Sequence, residues 1–293
     1  MAATFPTQSQ VVIVGGGIIG CSIAYHLTKL GWTDVVILER GELTCGTTWH
    51  AAGLVTQLRA THTMTELCRY GPILYGALKE ETGQDTGFKQ NGSLQVARTP
   101  ERLTEIARMI SLGKVFDIEA RMVDPAEAKS LYPLLDESMV VGGGFIPGDG
   151  QTNPIDTTMA LAKGARARGA RIIERVSVTG FQTANGAVCA VETDRGTIAC
   201  DVAVNCAGIW SRQIGAMAGV DVPLYAAEHM YVTTESDPAI TPDLPVLRDT
   251  DGYVYVKEDA GKLLVGAFEP NAKSLPLSAL PEKFEFGELQ EDW

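Results

Sequence analysis

Basic residues are scarce in this 293-residue sequence: 24 lysines and arginines stand against 36 aspartates and glutamates, a net charge of −12. A nucleic-acid partner needs a basic face to displace counterions, so that class is excluded. Acidity of this size serves solubility. Long apolar runs are missing too. The longest is broken by glycines and too short to span a bilayer, so no membrane partner is expected. The ten residues before the first strand lack a basic n-region and an apolar h-region. No signal or transit peptide is read there, and a cytoplasmic compartment is expected, with the mitochondrial matrix as the alternative for a eukaryotic source. The six cysteines (21, 45, 68, 189, 200 and 206) lack CxxC pairing. They suggest reduced thiols, and argue against a disulfide framework or a zinc site. Repeats and low-complexity tracts are absent. With 45% hydrophobic and 20% charged residues the chain can bury an ordinary core, and its length suggests about two domains.

What is present is organised around Gln10 to Arg40. Val11–Val14 is an apolar β-branched run suited to a buried parallel strand. It enters Gly15-x-Gly17-x-x-Gly20, followed by Cys21–Leu30, where Ile23, Ala24 and Leu27 recur at helical spacing. Gly31 stops that helix, and Val35–Leu38 is a second buried strand ending in Glu39 and Arg40. A dinucleotide needs this order of parts. Two glycines allow a tight turn and close backbone approach to a pyrophosphate at the helix N-terminus, and the third lets helix and strand pack. Glu39 lies 19 residues beyond Gly20, where an acid accepts from a ribose hydroxyl and repels a 2′-phosphate. Gly15, Gly17, Ile18, Ile19, Gly20, Glu39 and Arg40 are therefore candidate cofactor-binding residues. A glycine-rich structural turn is the competing reading.

Further along, residues 43–54 are small and turn-rich, with a helix expected to start near Ala51. Thr47 and Thr48 can bond pyrophosphate oxygens or act as plain turn residues, and spacing does not choose. A helix with an irregularity at Pro72 is expected over 65–82, and a strand over Ser93–Ala97. Thr99-Pro100 opens a helix whose stripe is Leu103, Ile106, Ala107 and Ile110, ended by Gly113. Asp124-Pro125-x-Glu127 has the form of a capping box. Met139–Ile146 is read as a strand. Asn153-Pro154 opens a longer helix with Ile155, Met159 and Ala162 inward. Residues 176–200 form a three-strand meander around Asn185-Gly186 and Asp194-Arg195-Gly196. Val202–Cys206 returns to the main sheet, and a helix runs from Ser211 to about Ala218. Val222–Thr234 alternates as a strand, placing Tyr225, Ala227, His229, Tyr231 and Thr233 on one face. Tyr253–Lys257 and Lys262–Phe268 form a hairpin. From Pro270 the periodic pattern is lost, and residues 282–293 hold five acids against one lysine.

Taken together, the GxGxxG unit, GTTWHAAGL (46–54), PGDGQTNP (147–154), VNCAGIW (204–210) and AAEHMYV (226–232) resemble the sarcosine and dimethylglycine dehydrogenases. These belong to the flavin-dependent, D-amino-acid-oxidase-like superfamily, and the resemblance covers nearly the whole chain. It implies an α/β fold in which a Rossmann-like FAD-binding domain (1–87 and 148–221) interleaves with an antiparallel-sheet substrate domain (88–147 and 222–293). It implies FAD carried covalently by His50, with Gly46, Thr47, Thr48, Gly53 and Leu54 around it and Val176 and Gly208 as further contacts. On the residues alone, His50 reads first as a cap of the Ala51 helix, and only the resemblance favours the covalent link. His229 and Tyr255 match the family's catalytic strand residues, one to take the ammonium proton of a methylated amine and one to hold substrate or shuttle that proton. Tyr253 is the rival of Tyr255. The substrate carboxylate needs a cation, and Arg59 and Arg248 both remain candidates. No metal is expected. The resemblance further implies an electron-transfer flavoprotein or oxygen as acceptor, and tetrahydrofolate on a further C-terminal domain. Relatives continue past this point with a strand–helix segment that closes over the flavin, so a truncated chain with an exposed crevice is expected. A related flavin amine oxidase is one alternative. A regulatory subunit of pyruvate dehydrogenase phosphatase, whose corresponding motif lacks the histidine, is the other.

Overall fold

The computed structural model describes residues 4–281 and 283–290. The first apolar run forms β1 (Val11–Val14), followed by α1 (Ile18–Lys29) and β2 (Val35–Leu38), and every residue of both strands is buried. The chain continues through α2 (Thr47–His50), β3 (Leu54–Val55), α3 (His62–Thr82), β4 (Ser93–Ala97) and α4 (Pro100–Phe116). Next come β5 (Arg121–Val123), α5 (Pro125–Leu131), β6 (Gly142–Ile146), β7 (Gly150–Gln151) and α6 (Pro154–Ala167). β8 (Arg171–Ile173) precedes the meander β9 (Val178–Ala184), β10 (Ala187–Thr193) and β11 (Gly196–Ala199), then β12 (Val202–Asn205) and α7 (Ser211–Met217). The last strands are β13 (Tyr231–Thr233), β14 (Val246–Asp249), β15 (Val254–Asp259) and β16 (Lys262–Ala267).

Capping fixes several helix starts. The side chains of Thr61, Thr99, Asp124 and Asn153 each accept from a backbone N–H in the first turn, and proline follows the last three. The box at Asp124 is only half closed, because Glu127 pairs with Arg121 instead of returning to the cap.

Two larger sheets organise these elements. The first is parallel, in the order β12-β1-β2-β8. One of its faces packs Val11, Ile13, Val35 and Ile37 against α1, α3 and α6; the other packs Val12, Val36 and Leu38 against the meander. Cover on both faces is why these strands are continuous apolar runs without alternation. The second is a mixed seven-stranded sheet, β13-β16-β15-β14-β4-β6-β5. On one side Leu94 and Val96 meet α5 residues and Ile240, and on the other Ala97 and Ile146 meet α4. All six cysteines are unpaired. Among the described residues, no helix is long and apolar enough to cross a membrane.

The structure corrects several expectations. The helix expected near Ala51 lies earlier: α2 ends at His50, and Ala51 is already extended. Pairing of β3 with β7 draws the chain away at that point. α4 runs past Gly113 to a left-handed Asp117, and Gly113 instead makes room for the Ile118 carbonyl, which would lie 2.7 Å from a Cβ. The strand expected from Met139 begins at Gly142, with a 3₁₀ turn over Glu137–Met139 before it. Met159, expected inward, is 37% exposed. Of Val222–Thr234 only Tyr231–Thr233 is strand. Residues 226–228 hydrogen-bond to residues 273–275 in the segment whose pattern was lost, so the alternation signalled a face without its partner.

Candidate functional site

The cofactor half of the site is the mouth of the β1–α1–β2 unit. Gly15 has a left-handed φ of +112°, and a Cβ there would stand 2.3 Å from the Cys206 carbonyl oxygen at the end of β12. Gly20 packs against Gly15, whose carbonyl oxygen would be 2.0 Å from a Cβ. These contacts leave a cleft of about 510 Å³ beside the start of α1. It is lined by Gly15, Gly17, Ile18, Ile19, Glu39, Arg40, Gly46, Thr47, Thr48, Val176 and Gly208. Gly20, His50, Gly53 and Leu54 lie outside that lining.

The chemistry of the cleft fits a dinucleotide. α1 has neither a side-chain cap on Gly17 nor an acid in its first turn, so its positive end, apart from the Ile18 N–H that Thr48 takes, is left for an anion. Glu39 is buried at the end of β2. One of its oxygens accepts from Gly16 N–H at 2.6 Å and the other from Gly41 N–H at 2.9 Å, which aims the carboxylate into the glycine loop. Thr48 is engaged locally, its hydroxyl accepting from Ile18 N–H at 3.1 Å, while Thr47 is exposed. Val176 N–H donates to the Glu39 carbonyl at 2.9 Å.

Sequence reasoning passed over one wall of the cleft, made by Trp210 and the α7 residues Gln213, Ile214 and Met217. Their spacing of three, four and seven marks one helical face, which is the signal that was available. Arg40 stacks over the Trp210 ring, its guanidinium carbon 3.9 Å from the ring centroid. Cys45 and Cys206 also line the cleft. Burial pushes both thiols up to about 11, so neither is a thiolate nucleophile at neutral pH.

His50 stands at the end of α2. Its Nδ1 faces the Gly46 carbonyl at 3.1 Å and its Nε2 the Gly287 carbonyl at 2.6 Å. A neutral imidazole donates from one nitrogen only, so one of these contacts requires a second proton. The ring stacks flat on Phe284 with an interplanar angle of 1°. Residues 284–287 therefore cover this end of the cofactor loop, where an open crevice was expected, and Phe286 N–H donates to the Cys45 carbonyl.

The second half is one face of the seven-stranded sheet. Arg248 on β14 pairs with Tyr255 on β15, Tyr255 with Gly266 on β16, and Gly266 with Tyr231 on β13. Residues directly opposite one another share a face, so this is a single row. Its neighbours Lys257 and Leu264, with Tyr231, line a second cavity of about 190 Å³ against Trp49, Ala51 and Asn153. Ala51 lines both cavities, so the sheet face is turned toward the cofactor loop.

Tyr255 is buried, and burial followed by the nearby Tyr231 raises its pKa, so at neutral pH it is a donor and not a base. Tyr253 has a positive φ in the turn before β15 and is half exposed, which takes it off this face. His229 is hydrogen-bonded to Glu269 at 3.2 Å. It does not meet Tyr255 directly. Phe268 lies between them, its ring centroid 5.5 Å from His229 and 5.1 Å from Tyr255. Burial and the like charge of Arg59 lower the pKa of Arg248. Arg59 itself donates to Thr56 and to the Leu58 carbonyl.

The profile of the family described as FAD dependent oxidoreductase matches residues 10–290. The mitochondrial sarcosine dehydrogenase of Mus musculus is 43% identical over 98% of this chain and 32% of its own length. The mitochondrial pyruvate dehydrogenase phosphatase regulatory subunit of the same organism is 38% identical over 98% of this chain and 33% of its own. The chain thus spans about a third of the length of these relatives. Among solved structures, L-proline dehydrogenase from P. horikoshii superposes with a TM-score of 0.84 and 28% identity, covering 89% of this chain and 70% of that one. The chain belongs to the DAO family of FAD-dependent oxidoreductases.

Proposed function

We propose that the protein catalyses FAD-dependent oxidative N-demethylation of a methylated glycine, sarcosine or dimethylglycine. The observation that carries this reading is the polar row Arg248–Tyr255–Tyr231 on the sheet face whose Tyr231, Lys257 and Leu264 line a cavity against Ala51 of the cofactor loop. Bound FAD would supply the hydride acceptor at flavin N5. The chain's own groups prepare the substrate. His229, oriented by Glu269, takes the ammonium proton so that the nitrogen lone pair is free. Tyr255, a neutral phenol, donates to the substrate and holds it. Arg248 binds the carboxylate; it stands opposite Tyr255, whereas Arg59 is already bonded within its own loop. The imine formed would hydrolyse to formaldehyde or pass to tetrahydrofolate, and an electron-transfer flavoprotein would reoxidise the cofactor. We take residues 1–87 and 148–221 as the FAD-binding domain and 88–147 with 222–293 as the substrate domain, acting in a cytoplasmic or matrix compartment.

His50 is proposed as the covalent flavin attachment site. Attachment through Nε2 would require that nitrogen to leave the Gly287 carbonyl, and segment 284–287 would then yield to the cofactor. After acid precipitation, flavin fluorescence on a denaturing gel is expected to stay with the polypeptide and to vanish from it in His50→Ala. Release of all flavin from the unsubstituted protein would remove the covalent assignment. Reduction of bound flavin by sarcosine or dimethylglycine without oxygen tests the activity itself.

A further inference from the structure

Gly266 is the last residue but one of β16, yet it is not among the residues with a positive φ, so its backbone does not call for glycine. The space does. A Cβ on Gly266 would lie 2.0 Å from Cζ, 2.2 Å from the hydroxyl oxygen and 2.5 Å from Cε1 of Tyr255. The phenol of Tyr255 therefore lies across the strand over Gly266, toward Tyr231 on the far side. Phe268 holds the ring from beside it. Any side chain at 266 would swing the phenol out of the row. We propose that Gly266 is a positioning residue, whose missing side chain sets the Tyr255 hydroxyl beside Tyr231 on the face turned to the cofactor loop. This rests on the substrate-holding role given above to Tyr255.

The test compares Gly266→Ala, Tyr255→Phe, Tyr255→Ala and the doubles Gly266→Ala/Tyr255→Phe and Gly266→Ala/Tyr255→Ala, each loaded with FAD. One readout is ultraviolet titration of the phenols, with Tyr255 isolated as the difference from the matching Tyr255→Phe protein. Tyr231 faces it, Arg248 stands opposite, and His229 lies beyond Phe268, so all three are kept unchanged. The Tyr255 signal is expected to move down toward that of an ordinary phenol in Gly266→Ala. The second readout is the anaerobic rate of flavin reduction by sarcosine. Gly266→Ala and Tyr255→Phe should each slow it roughly tenfold, the loss of about one good hydrogen bond. In the Tyr255→Ala background the alanine at 266 should cost nothing further. An unmoved phenol titration overturns the positioning. A moved titration with an unchanged rate overturns the role of Tyr255 and the proposal with it. If Gly266→Ala alone does not fold, the double with Tyr255→Ala should, and its failure to fold overturns the collision on which the proposal stands.

Discussion

The two halves of the site are built in opposite ways. The cofactor half rests on β1 and β2, whose eight residues are all buried, each exposed by 5% or less. The opposing half ends in an edge strand, where Tyr231 and Val232 are 38% and 44% exposed and His229 lies in an irregular stretch just before it. A dinucleotide is the same molecule in every turnover, so a rigid cradle loses nothing by fitting it closely. A substrate must enter and leave, and an edge held by few contacts permits that. If this contrast is right, substitutions in the cradle should damage stability and cofactor binding together. Those on the sheet face should damage chemistry first.

The largest effect is expected from Gly15→Val. The left-handed backbone strains any β-branched residue, and its side chain would collide with the Cys206 carbonyl oxygen, 2.3 Å from the Cβ position. The fold should lose about 4 kcal/mol or more, combining strain and overlap. Differential scanning calorimetry should show a collapsed or strongly lowered transition, and no flavin should copurify. A normal transition would mean that β12 can move away, and that the cradle is less rigid than the contrast requires.

Glu39→Ala should come next. It removes two charge-assisted acceptors, to Gly16 N–H and Gly41 N–H, each contributing about 1.5–3 kcal/mol. Stability of the flavin-free protein should fall by about 3 kcal/mol, and FAD affinity, measured in a His50→Ala background, by roughly tenfold to a hundredfold. A fall in affinity with unchanged stability would show Glu39 to be a ribose ligand alone, as its spacing from Gly20 suggests.

This contrast also accounts for what was legible in the sequence. The strand–glycine–helix–strand unit is a local pattern whose residues contact one another, so Gly15, Gly20 and Glu39 could be read at their places. Helix starts at Thr99, Asp124 and Asn153 are equally local, each cap reaching two or three residues. The sheet half depends on partners far away in the chain. Tyr225 to Thr233 alternates faithfully, but residues 226–228 bond to residues 273–275, and no short-range signal could say so. The same holds for Gly266, which looks like a weak strand position until Tyr255 is placed over it. The cover that residues 284–287 give to His50 spans the whole chain, and only the fold reveals it.

The smallest effect, and the one that probes the seam, is expected from Asp149→Asn. Asp149 is fully buried between the halves, accepting from Gln57 N–H at 2.9 Å and Gln57 Nε2 at 3.2 Å on one oxygen and from Ser93 Oγ at 2.6 Å on the other. Burial raises its pKa, while the bonds from Ser93 and Gln57 and the charge of Arg59 oppose the shift. The folded state therefore holds a proton that the unfolded chain has released. That contribution is fully present below the ordinary carboxylate pKa, about 3.9, and is lost as pH rises through the raised value. Asparagine keeps an oxygen for Gln57, and its amide can donate to the Ser93 hydroxyl, so the network stays satisfied without ionising. The variant should be less stable at acid pH by about 1 kcal/mol or less. Its disadvantage should shrink or reverse toward neutrality, as the unsubstituted protein bears a buried charge. Urea unfolding at a series of pH values between about 4 and about 8 measures both curves. Parallel curves would mean that Asp149 is ionised in both states across this range, with Arg59 and the hydrogen bonds outweighing burial at the seam.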